Sequence, residues 1–465
     1  MVKIDYKQYV DALIKDIQNL VQIPSVRNLD QASEGAPYGP AVAQAVEWLE
    51  EKAQSDGFET KNYQGHVLSI EPKNNGQGQR VEIACHLDVV DVAAGWEDDP
   101  FSGKIVDNRL YGRGSDDMKR ADMLVYYALK IIRDYQIPLK NQLVWLYGTD
   151  EECNMDDMKY FRQQASEPSF AFTPDGNFPL SIGEKGALTW TISGQWPADS
   201  LVHSIKGGEG ANVVASSCQI ALKANNPEAA EAYCQAKDWP VKVVSDSEMV
   251  VIQVKGKAAH SSVPELGANA IVRALDIAAN AYGDNYASQL LDRVGASDGS
   301  GLCIDSSTEK MGALTFNLGT LVLDGKGAYQ MEVDIRYPDV WTSDQLYDRV
   351  KGHFPEAHFE TTFDVRWTLV DAKRPAIQAL LKQFEEVFPS EDQEPTVSGG
   401  VTYSKYIPNC VGFGAAMADD PTVAHQANEW IDLSNLEDLL RLYTQVIIEL
   451  GQMDDLLAEN WGLSD

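Results

Sequence analysis

The stretch Val81-Glu-Ile-Ala-Cys-His-Leu-Asp-Val-Val90 constrains the fold more than any other in the chain. It reads as a buried strand that ends in His86-Leu87-Asp88. Alternate side chains of a strand share a face, so His86 and Asp88 point the same way. An imidazole with a carboxylate beside it is the arrangement of a metal-bound histidine whose tautomer and orientation are set by a neighbour. His-x-Asp alone is a weak signal. It gains force because two later strands end in the same manner. Gln142–Tyr147 runs into Gly148-Thr-Asp-Glu-Glu152, and Phe170-Ala-Phe-Thr-Pro-Asp-Gly176 carries Asp175 at its tip.

Between these strands lie helical patterns. Val10, Leu13, Ile14, Ile17, Leu20 and Val21 fall on one face of a first helix. A second helix runs near Gly39–Ser55 with Gly57 as its stop, and a third includes Met123–Ile132. Asp107-Asn108 between short strands marks a hairpin. Strands alternating with helices indicate a mostly parallel α/β sheet covered on both sides, and ligands of such sheets gather beyond the carboxyl ends of the strands. From Gly186 the pattern changes. Ala187–Gly194, Glu248–Val254, Thr315–Val322 and Ala328–Arg336 read as strands, and Ala211–Leu222, Asn269–Ala281 and Thr342–His353 as helices. That is an inserted α+β domain with an antiparallel sheet. The expected organisation is a catalytic domain in two parts, 1–185 and 373–465, around a lid domain at 186–372. The second part is expected to hold a helix at Ala376–Phe388, a strand at Cys410–Gly414 and a last helix at Leu433–Leu450.

The formal net charge of −32 argues against nucleic acid and anionic membranes as partners. No apolar run reaches the roughly 18 residues that span a bilayer. Met1-Val-Lys-Ile-Asp-Tyr lacks the pattern of a secretory leader, so cytoplasmic residence is expected. The six cysteines are scattered, with no Cys-x-x-Cys pair, and read as reduced and mostly buried. Cys85 should face away from His86.

Taken together, the first domain offers His86, Asp117, Glu151, Glu152, Asp175 and His425. Each has an ordinary reading when taken singly: acidic pairs are usually solvated surface, Asp-Gly is usually a turn, and His425 could be a loop histidine. Jointly, imidazoles and carboxylates without paired thiolates suit zinc, manganese or cobalt. Glu151-Glu152 puts two carboxylates on different sides of the chain, so one can bind metal while the other serves as a base.

With these residues in place, the sequence resembles the aminoacylase/carboxypeptidase G/succinyl-diaminopimelate desuccinylase family of two-metal peptidases and deacylases. The motifs that carry the resemblance are His86-Leu-Asp88, Gly112-Arg-Gly-Ser-Asp-Asp-Met-Lys119, Thr149-Asp-Glu-Glu152, Pro174-Asp-Gly176 and His425-Gln-Ala-Asn-Glu429. The stretch Gly256-Lys-Ala-Ala-His-Ser-Ser-Val-Pro-Glu-Leu-Gly-Ala-Asn-Ala270 adds a lid motif, and the likeness covers essentially the whole chain. The long lid and Ser398-Gly-Gly400 fit its PepV-like bacterial dipeptidase branch.

The resemblance implies two divalent ions, zinc by preference, with manganese or cobalt also compatible. Asp117 would bridge both, His86 and Asp175 would hold one, and Glu152 and His425 the other. Asp88 would orient His86, and Glu151 would be the general base toward a water between the metals. His260 would stabilise the oxyanion, Asn212 and Arg336 would grip the substrate's terminal carboxylate, and Gly399 would line the pocket through its backbone. A cis peptide is implied at Asp117–Met118. Two points depart from the family: Arg120 stands where Gly is usual, and Asp116-Asp117 offers two carboxylates for one bridging position.

The expected activity is hydrolysis of dipeptides with a free N-terminus. Deacylation of N-acyl amino acids is the alternative, and a non-catalytic metal-binding protein is a third reading. Many relatives pair through a short lid and borrow the lid histidine from a second chain. Here the insert is long enough for two such modules, the first with Asn212 and the second with His260 and Arg336, so a monomer is expected.

Overall fold

The computed structural model describes residues 3–92, 94–246, 248–418, 420 and 423–456. It divides into two units. The first comprises Met1–Gly183, Leu369–Thr396 and Thr402–Asp465, and the second Glu184–Thr368 with Val397–Val401. The chain thus crosses near residues 183 and 368, against 185 and 372 read from sequence, and it returns for a short piece around Gly399 that the sequence did not signal.

The sheet of the first unit runs, in spatial order, Glu59–Tyr63, Val67–Glu71, Gln142–Gly148, Arg80–His86, Phe170–Thr173 and Cys410–Gly412. The last four are mutually parallel, and the first two join them antiparallel. His86 pairs in register with Gly148, and Ile83 with Phe172, so three strands end at one edge of the sheet. This follows from sequence: the strands are nearly all apolar because both faces are covered. Val81, Ile83 and Cys85 enter a core with Leu124, Ala128 and Ile131 of the helix Arg120–Asp134 and with Leu440, Tyr443 and Ile447 of the helix Leu436–Gln452. The first helix, Lys7–Val21, buries Leu13, Ile17, Leu20 and Val21 as its periodicity requires. Asp107 and Asn108 both adopt positive φ between the strands Lys104–Val106 and Arg109–Tyr111, as a two-residue hairpin turn demands.

The second unit is built on an eight-stranded antiparallel sheet. Its spatial order is Val241–Ser245, Val250–Lys255, Ser217–Leu222, Val202–Gly207, Thr315–Leu323, Ala328–Tyr337, Gly186–Gln195 and His358–Val365. The helix Ala270–Tyr282 starts on Asn269, whose side chain accepts from Ile271 N and Val272 N, and the helix Ser343–Lys351 starts on a capping box at Thr342. One expectation is corrected. Residues 211–222 contain no helix: Ser217–Leu222 is a central strand paired on both sides, which suits Ile220 packing into the sheet's core. The insert forms one continuous sheet, and the stretch that carries His260 after Val250–Lys255 is tied to Asn212 through the Val213–His260 bridge and to the Arg336 strand through Ser261 Oγ, which donates to Asp334. All six cysteines are free, four buried, with Cys153 and Cys303 exposed. Among the described residues no helix is long and apolar enough to cross a membrane.

Candidate metal centre

His86 stands at the end of its strand, fully buried. Its Nδ1 lies 3.0 Å from the backbone oxygen of Asp88. A carbonyl oxygen only accepts, so Nδ1 carries a proton and Nε2 is the nitrogen left to face a ligand. Nε2 lies 3.1 Å from Asp117 Oδ1 and 3.8 Å from Asp175 Oδ2, and, against its burial, these carboxylates raise the ring's proton affinity with no ion between them. The Asp88 carboxylate, expected to orient the ring, sits 3.6 Å from Nδ1, beyond hydrogen-bond range. It accepts instead from the backbone N–H groups of Glu151 at 3.2 Å and Glu152 at 3.1 Å. Asp88 thus sets His86 through its backbone and the Glu151-Glu152 turn through its side chain.

A second buried carboxylate braces that turn. Asp157 accepts from Thr149 N at 2.6 Å and Asp150 N at 3.0 Å, and Tyr403 donates its hydroxyl to the same oxygen. Only glycine fits at 148, where a Cβ would lie 1.8 Å from the Tyr403 hydroxyl.

Asp117 is carried by the loop Gly112–Lys119, and that loop is organised by Glu429. The Glu429 carboxylate, with no exposure, accepts from Arg113 Nη1 at 2.6 Å, Gly114 N at 3.0 Å, Asp116 N at 2.8 Å and Asp117 N at 3.2 Å. Burial pushes its carboxyl up, against the pull of Arg113 and the backbone donors. The Asp117–Met118 peptide is cis, as the resemblance implies. His425, at φ 64°, brings Nε2 to 3.0 Å from Asp117 Oδ2 and 3.0 Å from Glu152 Oε2. Asp117 is therefore the carboxylate between the two histidines. Asp116 is turned to Arg120, which is buried and paired with Asp116 at 2.9 Å and Asp420 at 3.4 Å. The arginine that replaces the family's glycine thus withdraws the spare carboxylate from the histidines.

His86, Glu151 and Asp175 place ligand atoms within 4.8 Å of one another, and so do His86, Asp117 and Glu152. The buried Oε1 atoms of Glu151 and Glu152 have no hydrogen-bond partner among the described residues. Burial, then the charge of Asp175, drives the Glu151 carboxyl well above the usual range. Burial, then Asp117, raises Glu152 to about 7. Burial would also raise Asp117, but His425 and His86 outweigh it and hold that carboxyl low. Four carboxylates converging on two imidazoles, with buried oxygens lacking partners, form a cluster short of positive charge. The donor set is oxygen and imidazole nitrogen: Cys85 packs into the core and Cys153 is exposed. These residues fit divalent cations.

The remaining sequence-predicted residues, His260, Asn212, Arg336 and Gly399, lie in the second unit and are stitched together there. His260 and Asn212 are exposed. His260 pairs with Val213 as an isolated bridge, and its Nδ1 lies 2.7 Å from Ser262 Oγ. Ser261 N donates to Asn212 O at 2.9 Å, and Asn317 Nδ2 donates to Ala211 O and Val213 O. A Cβ at Gly399 would lie 2.6 Å from Ser262 Cβ, so only glycine allows that approach. Arg336 donates Nη1 to Gly399 O at 3.3 Å, and its other edge is bound to Asp334. Sequence reasoning missed Glu429, Asp157, Tyr403, Asp334, Ser261 and Asn317 as organisers. Asp334 was findable, because it stands two residues before Arg336 on the same face of a strand. Tyr403 and Asp157 carry no sequence signal of their pairing.

Residues 83–449 match peptidase family M20/M25/M40. A protein of Staphylococcus saprophyticus named "Putative dipeptidase" is 29% identical over 466 residues, covering 96% of this chain and 98% of its own. Among solved structures, human carnosine dipeptidase 1 matches with TM-score 0.59 at 13% identity, covering 96% of this chain and 98% of that one. A di-peptidase of Saccharomyces cerevisiae matches with TM-score 0.58 at 15% identity, covering 96% and 97%. At these identities the two structures speak for the fold, and the family match for the chemistry it houses. The chain belongs to peptidase family M20/M25/M40 and is a metallopeptidase.

Proposed function

We propose that the chain is a dipeptidase that hydrolyses dipeptides with a free N-terminus, working as a cytoplasmic monomer with two divalent ions, zinc by preference. The observation that carries this reading is the convergence of His86, Asp117, Glu152, Asp175 and His425 around carboxylate oxygens that lack partners. The dipeptidase name of the staphylococcal relative, which spans nearly the whole chain, supports the substrate class.

In this reading His86 and Asp175 would hold one ion, Glu152 and His425 the other, and Asp117 would serve both. Bound there, the ions supply Lewis acidity to the scissile carbonyl and to the attacking water. Glu151 takes the proton of that water and returns it to the leaving nitrogen. Its buried Oε1 has no hydrogen-bond partner among the described residues and is open to a proton. Asp88 holds the backbone of Glu151 and Glu152 and so fixes the spacing between base and ligand. His260 meets the negative charge that develops on the carbonyl oxygen. Arg336 and Asn212 bind the terminal carboxylate, and Gly399 offers its backbone. One unit of a single chain carries Asn212, His260 and Arg336 and ties them together, which supports the monomer.

The test is metal analysis combined with a panel of dipeptides set against N-acetyl and N-succinyl amino acids. Two ions per chain and cleavage confined to dipeptides are expected. Cleavage of the acylated compounds in preference would replace the reading with a deacylase, and turnover of neither set would overturn both.

A further inference from the structure

Asp334 is buried at 1% exposure and Arg336 at 5%, two residues apart on the strand Ala328–Tyr337. Asp334 Oδ1 accepts from Arg336 Nε at 2.8 Å and from Ser261 Oγ at 2.8 Å. Its Oδ2 accepts from Arg336 Nη2 at 2.9 Å and from Thr189 Oγ1 at 3.3 Å. A carboxylate has about four acceptor positions, and all are filled. One edge of the guanidinium is thereby fixed in the plane of Asp334. Nη1 serves Gly399 O, which among the described residues leaves one hydrogen on each terminal nitrogen, the number a carboxylate takes in a bidentate pair.

The same carboxylate anchors Ser261, which is fully buried. Ser261 also donates its N–H to Asn212 O at 2.9 Å, and its carbonyl accepts from Thr315 Oγ1 at 3.1 Å. Its chain neighbours are His260 and Ser262, and Ser262 is the residue against which Gly399 is closely packed. One buried group therefore reaches all four of the lid residues assigned to the substrate, through bonds to Arg336 and Ser261.

We propose that Asp334 is a positioning residue that holds the Arg336 guanidinium and the His260–Ser262 turn in one fixed relation, so that grip on the substrate's carboxylate and placement of the lid histidine depend on each other. This rests on the reading that Arg336 binds a carboxylate of the substrate, which dipeptides and N-acyl amino acids share.

The Asp334→Asn variant isolates the effect. Asparagine keeps the shape but exchanges one acceptor oxygen for an NH2 group. Serine and threonine hydroxyls rotate to accept from that group, whereas a guanidinium only donates. In either amide orientation one N–H of Arg336 faces another donor, and the guanidinium must turn away. The measurement compares kcat and KM on a dipeptide and on its C-terminal amide, with metal content and a crystal structure of the variant.

Asp334→Asn is expected to retain both ions and to lose about 10²-fold in kcat/KM on the free acid, as a misplacement of about 1 Å does. KM on the free acid should rise while kcat falls on both substrates, so that the loss in kcat/KM is the larger on the acid. Ser261→Ala removes only the tie to the turn, and should lower kcat while leaving KM near that of the unaltered enzyme. Equal losses on acid and amide would reduce Asp334 to a structural ion pair and overturn the proposal, as would an unaltered profile of Ser261→Ala. If the unaltered enzyme cleaves neither dipeptides nor acylated amino acids, the proposed function fails by itself. The crystal structure then decides: a displaced Arg336 and 260–262 turn supports the positioning role, and an unmoved pair refutes it. Should Asp334→Asn fail to fold, the kinetics and crystal structure of Ser261→Ala separate the two roles in the same way.

Discussion

Replacing Glu429 by Gln keeps the side chain's shape and removes half of what it accepts. In the native protein one carboxylate oxygen serves Arg113 and Gly114, and the other serves Asp116 and Asp117. An amide has a single oxygen, so in either orientation two of these four buried donors face an NH2 group. An unpaired buried donor costs about 1–3 kcal/mol, and breaking a buried ion pair about 3–5 kcal/mol. These terms overlap, because the amide oxygen retains two donors, and about 3 kcal/mol is a reasonable net for the loop. At about 1.4 kcal/mol per decade this is roughly a 10²-fold change in the local opening equilibrium. Hydrogen exchange of the peptide containing Gly114, Asp116 and Asp117, followed in metal-free protein, reads that number without assuming that two units unfold together. Exchange about 10²-fold faster is expected. Because Asp117 is carried on the loosened loop, affinity for divalent ions should fall by about 10–100-fold in calorimetric titration, as changes behind metal ligands do. Native-like exchange together with native-like metal affinity in Glu429→Gln would refute the argument that this carboxylate organises the loop.

Glu151→Gln should keep both ions and lose about 10²–10⁴-fold in turnover, whereas Glu152→Ala should lose metal; emission spectrometry of the two variants separates base from ligand, and the reverse pattern would exchange their roles. His260→Ala should lower turnover sharply at unchanged metal content. Recovery of activity on mixing it with Glu151→Ala protein would show the histidine coming from a second chain and defeat the monomer. Metal removal should make stability depend on pH. In the metal-free protein burial and Asp117 raise Glu152 to about 7, and, against burial, Asp117 and Glu152 raise His425 to about 11. Both groups then bind more protons folded than unfolded, Glu152 from its ordinary value up to about 7 and His425 from its ordinary value upward, so stability falls as pH rises. Melting curves from about pH 5 to 8 should show a steeper decline for chelator-treated than for metal-loaded protein, and a rise in the treated sample would contradict the sign.

The candidate cluster was legible because each apolar strand stops where its polar residues begin, and because side chains alternate along a strand. His86, Glu152 and Asp175 needed little more than that. What the sequence withheld was reciprocity over long separations. Glu429 belongs to a motif with His425, yet its partners lie in the loop around Asp117, and neither stretch names the other. Strand spacing assigns the Asp88 carboxylate to its neighbour His86, but backbone donors from the Glu151-Glu152 turn compete for it and win. Residues 211–222 failed for a different reason. Their apolar positions suit either period, whereas pairing with strands on both sides decides for extended chain. The boundaries of the second unit followed from a change of texture, but the return of Val397–Val401 depends on one carbonyl and one close approach, which leave no periodic trace.

The clamp formed by Glu429 also bears on how the protein is made. Ribosomes deliver a chain from its N-terminus at about 5–20 residues per second. The segments with His86, Asp117, Glu151, Glu152 and Asp175 therefore emerge long before the two residues that complete their surroundings. Until residue 429 is synthesised, Arg113 and the amides of the Asp117 loop lack their acceptor, and the acidic cluster lacks His425. The strand Cys410–Gly412 and the helix Leu436–Gln452, which close the same core, arrive in the same final interval. The second unit waits as well, since Gly399 reaches Arg336 only after the chain has already re-entered the first. A nascent chain halted before residue 399 thus lacks the helix that covers Leu124, Ala128 and Ile131 in the first unit, and leaves that apolar face to solvent and to chaperones.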